Sequence, residues 1–236
     1  MPKKLEQIYE GKAKILYRTD DPDLVIQYFK DDATAFNAQK KGTIADKGVM
    51  NNALSTTIFE YLGQHGVPTH FVKKLSDREM LSKKVAIVPV EVVVRNVLAG
   101  SLAKKLGRAE GEKLSHPVVE LYYKDDALGD PMVNSDHVLA FGWATKDELD
   151  AITEYALKVD VLLTELFARH GIRLVDFKLE FGRHKGEIIL ADEFSPDTSR
   201  LWDMATGEKM DKDRFRRDLG KIEESYREVV RRICGA

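Results

Sequence analysis

Between Lys84 and Gly100 the chain reads KVAIVPVEVVVRNVLAG, a nearly continuous β-branched run interrupted by Pro89, Glu91 and Arg95. A run this apolar is expected to form a strand buried on both faces, with the core of the sheet passing through it. The rest of the 236-residue chain, 43% hydrophobic, must cover that strand and has the apolar content to do so. The run is too short and too interrupted to span a membrane, and the opening MPKKLEQIYEGK lacks the apolar stretch of a signal peptide. A cytoplasmic protein is expected. Thirty-seven basic and thirty-nine acidic residues leave a formal charge of −2, without the basic field that nucleic-acid binding requires. Cys234, the single cysteine, excludes an internal disulfide and argues against a cysteine-based zinc site. None of the six histidines has the H-E-x-x-H spacing of a zinc ligand pair.

The covering elements can be read by period. YEGKAKILYR and LVIQYFK, from Tyr9 to about Lys30, alternate and are parted by TDDPD, as antiparallel strands joined by a turn would be. GVMNNALSTTIFEYL sets Met50, Leu54, Ile58 and Leu62 on one helical face. The polar NAQKKGTIADK before it reads as a loop and a candidate lid. SLAKKLG predicts a short helix. Residues 146–170 predict a long one, with Thr145 as N-cap, a stripe from Leu149 to Leu166 and an end before Gly171. A last helix is expected from near Asp211, carrying Phe215, Leu219, Ile222, Tyr226, Val229 and Ile233 along one side.

The chemistry concentrates in DFKLEFGRHKGEIILADEFSPDTSR, which starts at Asp176. On a strand, Asp176, Lys178 and Glu180 share one face, and Phe177, Leu179 and Phe181 share the other. With GRHKG as a five-residue loop, Asp192 returns opposite Asp176 and on the face of Glu180; an even loop would aim it at the phenylalanines. Three carboxylates around one lysine raise one another's pKa unless a cation neutralises them, and an all-oxygen ligand set suits Mg²⁺. A salt-bridged, solvated hairpin is the alternative. Downstream, Ser195, Thr198, Ser199 and Arg200 offer an anion site, although Arg200 pairing with Asp197 or Asp203 in a polar turn is equally compatible.

Two further segments complete a possible cleft. In EGKAK, Gly11 permits close backbone approach, and Lys12 and Lys14, two apart on a strand, would direct both ammonium groups to one side, where a polyphosphate could lie. This is not a Walker loop, and two exposed edge-strand lysines would look the same. In VPVEVVVRNVLAGS, Glu91 is an acid inside an apolar strand, and Arg95 and Ser101 flank the turn into the SLAKKLG helix. They are candidates for facing a substrate, or Glu91 and Arg95 simply satisfy each other. Lysines on a β-rich lobe opposite carboxylates on a second lobe are how kinases and grasp-type ligases hold Mg-ATP. The kinase H-R-D-L-x-x-x-N is absent, and DFKLEFG is not D-F-G. A noncatalytic nucleotide sensor would lack a second substrate site.

YEGKAK, FKDDATAFN, VPVEVVVRNVLAGSLAKKLG, YYKDDALGDPMVN, LVDFKLEFG and LADEFSPDTSRLWD, in this order and over nearly the whole chain, resemble the SAICAR synthetase family of purine biosynthesis. The resemblance implies an α+β fold, with a small antiparallel β-rich lobe (residues 1–84) and an α+β lobe (residues 85–236), related in shape to ATP-grasp ligases. It implies ATP-dependent joining of carboxyaminoimidazole ribonucleotide to L-aspartate, with Mg²⁺ as cofactor, and a homo-oligomer. By the same resemblance Lys12 and Lys14 meet the ATP phosphates, the segment from Val88 to Glu91 meets adenine, and Glu180 and Asp192 bind magnesium. Asp176 and Lys178 line the catalytic face, and Arg95, Ser101 and Arg200 hold the ribonucleotide.

Overall fold

A computed structural model describes residues 2–35 and 40–235. In chain order the elements are β1 (Lys4–Glu10), β2 (Lys14–Thr19), β3 (Leu24–Phe29), β4 (Asp32–Ala35), β5 (Lys40–Thr43), α1 (Lys47–Gln64), β6 (Phe71–Lys74), β7 (Glu79–Lys83) and β8 (Ala86–Val97). They continue with α2 (Gly100–Leu106), β9 (Lys113–Tyr123), β10 (Met132–Val133), α3 (Ser135–Ala140), α4 (Lys146–Arg169), β11 (Ile172–His184), β12 (Glu187–Ala191), β13 (Ser199–Asp203), α5 (Asp213–Arg216) and α6 (Ile222–Cys234). One antiparallel sheet has the order β1-β2-β3-β7-β6. A second runs β10-β9-β8-β11-β12, with β13 pairing the first half of the long β11. Backbone bonds from His70 to Leu190 and from Leu190 to Pro68, each 2.8 Å, join the segment that leads into β6 to β12. No described helix is long and apolar enough to cross a membrane.

β8 departs from the expectation in an informative way. Val88, Val90, Val92 and Val94 are at most 2% exposed and pack in the main core, where α4 covers them. Pro89, Glu91, Val93 and Arg95 occupy the other face, and the last three line a cleft. The strand is therefore buried on one face only; Val93 fills a cleft position and makes the run look continuous. Each fully buried valine contributes roughly 1.5–3 kcal/mol, so the core face fixes which way Glu91 and Arg95 point. Pro89 sits where β8 and β11 slip register, a bulge in which its missing N–H leaves no ladder bond unmade.

The hairpin after β11 also differs. Its turn is Lys185–Gly186, with φ of 51° and 86°, so Phe181 pairs with Leu190 and Glu180 with Ala191. This even turn would aim Asp192 at the apolar side. The chain avoids that outcome by leaving the strand: Asp192 takes φ 64°, a left-handed conformation that Asp tolerates, and its carboxylate turns into the cleft.

The predicted helices α1, α2 and α4 form, and Thr145 caps α4 in a reciprocal box with Glu148. The last predicted helix is broken. Asp218, Gly220 and Lys221 have φ of 53°, 67° and 50°, which separates α5 from α6. Phe215 then packs with Ala33 and Ile44, while Tyr226, Val229 and Ile233 are buried on α6, which packs against α1. Of the candidate lid, residues 37–39 lie outside the described residues; Lys40–Thr43 is a strand rather than a loop, paired with β4.

Candidate active site

Strand pairing places the polar face residues side by side. Across β8, β11 and β13, Arg95 lies opposite Asp176, Asp176 opposite Arg200, and Glu91 opposite Glu180. A cleft of about 400 Å³ gathers Lys12, Lys14, Glu91, Arg95, Asp176, Lys178, Glu180, Asp192 and Arg200. Two expected site residues stand apart. Val88 is fully buried in the core and lines neither this cleft nor its neighbour. Ser101 lies on the exposed first turn of α2 and meets the site through Arg95, whose Nη2 donates to its Oγ at 3.3 Å.

Acids and lysines alternate at the centre. Lys178 Nζ is 2.6 Å from Glu91 Oε1 and 2.9 Å from Glu180 Oε1, and Lys124 reaches the same Glu180 oxygen at 2.9 Å. Lys14 pairs with Asp192 and stands 3.7 Å from Glu193. Burial would lower the Lys178 ammonium, but Glu180, Glu91 and Asp192 outweigh it and hold its pKa well above the ordinary lysine range. Burial raises Glu91 despite Lys178 beside it. Lys12 is not a strand residue: Gly11 N donates to Lys14 O at 2.8 Å in a tight turn, and Lys12 reaches across to Asp126 at 2.6 Å.

Mg²⁺ fits this centre as an ion that takes one or two carboxylates and completes its shell with phosphate oxygens. No preformed group of three or more His, Cys, Asp or Glu ligands exists among the described residues. The lysine bonds to Glu180 all fall on Oε1 and that to Asp192 on Oδ1, so each carboxylate has a second oxygen to offer. Glu193 Oε2 is buried with no hydrogen-bond partner among the described residues, an acceptor that a bound cation or its water shell would satisfy.

At the other end, arginines share one carboxylate. Arg95, 3% exposed, donates from Nε to Glu120 at 2.7 Å and from Nη1 to Asp176 at 2.8 Å. Arg200 Nη1 donates to both Asp176 oxygens at 2.8 and 3.1 Å, and its Nε to Asp213 at 3.0 Å. Neither Asp197 nor Asp203 is its partner. A Cβ on Gly100 would stand 2.4 Å from Arg200 Nη2, and φ 56° adds a second reason for glycine there. Lys212 and Arg216 enter the same cleft from around α5.

Next to the cleft is a second cavity of about 380 Å³, walled by Ile8, Leu16, Val25, Ile87 and Ala191 and sharing Lys14, Glu180 and Asp192 with the first. A cavity with an apolar wall thus opens onto the acid and lysine centre. His70, at its base, is buried beside Gln27, and burial pushes its pKa down to about 3.

The SAICAR synthetase family profile matches residues 7–233. The chain belongs to this family. A phosphoribosylaminoimidazole-succinocarboxamide synthase from Clostridium acetobutylicum is 60% identical over 98% of this chain and 99% of its own. The crystal structure of the Ehrlichia chaffeensis synthase superposes with TM-score 0.96 at 48% identity, covering 98% of this chain and 99% of that one. A SAICAR synthetase in complex with ADP superposes with TM-score 0.94 at 50% identity, covering 98% of each. The mixed helix and antiparallel-sheet fold is that of SAICAR synthetases. Within this family frame, reading by motif missed Glu120, Tyr122, Lys124, Glu193, Lys212 and Arg216. For the first three a signal was present: ELYYK alternates, so all three share the cleft face of β9 and its exit.

Proposed function

We propose that the cleft divides into three working parts: the apolar cavity for adenine, the acid and lysine centre for Mg²⁺ and phosphoryl transfer, and the arginine end for the ribonucleotide. Family membership supplies the overall reaction, ATP-dependent ligation of carboxyaminoimidazole ribonucleotide to L-aspartate in purine biosynthesis. The observation that carries the division is the shared wall. Lys14, Glu180 and Asp192 border both the apolar cavity and the cleft, so a triphosphate leaving the cavity would reach the charged centre. A homologue bound to ADP supports the nucleotide half. Adenine belongs against Ile87 and its neighbours rather than the buried Val88 side chain, and the two sheets form the two lobes, residues 1–84 and 85–236.

Glu180 and Asp192 would hold Mg²⁺, which when bound supplies charge neutralisation for the transferring phosphoryl group. Lys12, Lys14 and Lys178 stabilise the same charge. Arg95 and Arg200, pinned by Asp176, Glu120 and Asp213, orient the ribonucleotide, with Ser101 at the rim. The nucleotide's γ-phosphoryl passes to the ribonucleotide carboxylate, and the amine of aspartate displaces phosphate from the acyl phosphate. Among the described residues, no serine or cysteine nucleophile paired with a base lines the cleft, so positioning and charge do the chemistry.

The decisive assay follows ADP release: it should require the ribonucleotide and aspartate together. ADP release with the ribonucleotide alone would instead favour a kinase, and ATP bound with no ADP released would favour a noncatalytic sensor. With ¹⁸O in the ribonucleotide carboxylate, one label should appear in inorganic phosphate, and unlabelled phosphate would reject the acyl phosphate.

A further inference from the structure

Lys47 opens α1 behind the cleft and is fully buried, yet its Nζ lies 2.6 Å from Asp197 Oδ2. Asn51, one turn along, donates to the same oxygen at 3.0 Å, and Tyr226 Oη of α6 donates to Oδ1 at 2.9 Å. Lys212 Nζ stands 3.8 Å from Oδ1, too far for a hydrogen bond. Asp197 and Lys212 line the cleft; Lys47, Asn51 and Tyr226 do not. Lys212 N donates to Pro196 O at 3.0 Å, so backbone contact keeps this lysine next to Asp197, and only its side chain can choose between the carboxylate and the cleft.

We propose that Lys47 is a positioning residue: by neutralising Asp197 from behind, it leaves the Lys212 ammonium extended into the cleft for an anionic group of the substrates. The physical reason is competition for one buried carboxylate. With Lys47 present, three donors already hold Asp197, and Lys212 gains little by closing the remaining gap. Without Lys47, an undercompensated buried carboxylate faces one near cation, and the pair closes. Burial already lowers the Lys212 pKa, with Arg216 and Lys47 adding to the effect against the opposing pull of Asp197. A lysine that served only to pack α1 would be replaceable by methionine with no consequence at Lys212.

That the anion is a substrate group rests on the ligase reading, but the test needs no substrate. Competitive acetylation with acetic anhydride, read by peptide mass spectrometry against exposed Lys113, reports the reactivity of Lys212 in the full chain. In Lys47→Met the inference expects Lys212 labelling to fall about tenfold for each unit its pKa rises. Lys47→Arg, which keeps the charge, should label as wild type, and Lys47→Met/Asp197→Asn should recover. Unchanged labelling in Lys47→Met, or a loss that persists in the double variant, overturns the inference. Should Lys47→Met fail to fold, the double variant carries the test: with Asp197 uncharged, Lys212 must label at least as fully as in wild type, and a deficit there rejects the proposal. Full ligase turnover in Lys47→Met alongside the expected fall in labelling would discard the substrate reading and keep the lysine arrangement.

Discussion

Single carboxylates in this cleft have no spare neighbour to replace them, because each already holds one or two lysines. Glu180 holds both Lys124 and Lys178, and Asp192 holds Lys14. Glu180→Gln and Asp192→Asn keep shape and remove charge, so turnover should fall on the order of a hundredfold and be partly recovered by raising Mg²⁺. Near-normal turnover of either variant at modest Mg²⁺ would remove that residue from the metal site. His70 makes a different, pH-readable contribution. Its pKa falls from an ordinary 6.5 to about 3 through burial, so the unfolded chain takes up a proton that the folded one refuses. The stabilisation is complete above about pH 6.5 and lost as pH falls towards 3, at about 1.4 kcal/mol per pH unit. Urea melts at several pH values in that window should show His70→Gln with a slope shallower than wild type by this amount; parallel slopes would mean that the imidazole is not excluded from protonation.

At the scale of elements, the sequence was legible where one period runs without interruption and opaque where backbone conformation decides. α4 could be read down to its Thr145 cap because stripe, cap and C-terminal Gly171 agree. The end of the chain misled because Phe215 to Ile233 keeps helical spacing through a break made by backbone at Asp218, Gly220 and Lys221. Glycine at position 220 was the available signal. Its carbonyl accepts from Arg214 Nε at 2.7 Å, a bond that ties the turn back to α5. Gly220→Ala at φ 67° should therefore cost roughly 1 kcal/mol while kcat stays nearly unchanged, because Asp213 and its arginine partners fix α5 from the other side. Stability equal to wild type in a denaturant melt would show that the turn relaxes without strain. The β11–β12 hairpin has the same lesson: alternation identified the charged face, but Lys185–Gly186 set the register, and only a left-handed Asp192 restored its place in the cleft.

For the whole molecule, the cleft lies where two sheets of separate sequence origin meet, through the backbone bonds at Leu190, a shared apolar core and a few charged contacts at the cleft itself. Lys14 from β2 reaches Asp192 beyond β12, and Lys12 reaches Asp126 beyond β9. Long-range pairing of this kind is invisible to periodicity; the family motifs located the residues, but alternation alone could not say that residues 12 and 126 meet. The same geometry makes ligand binding a folding term. A nucleotide seated in the apolar cavity would touch Leu16 and Val25 of the first sheet and Ala191 at the end of β12, joining the sheets. Mg-ATP at a hundred times its Kd should then add about 2.7 kcal/mol to the unfolding free energy, seen as a raised Tm. Lys14 is the residue through which the first sheet meets the charged centre, so Lys14→Met should lose most of that nucleotide-dependent rise at the same ligand concentration. A variant retaining the full shift would show that the nucleotide is held by the second sheet alone, and the proposed placement of its phosphates against β2 would have to be abandoned.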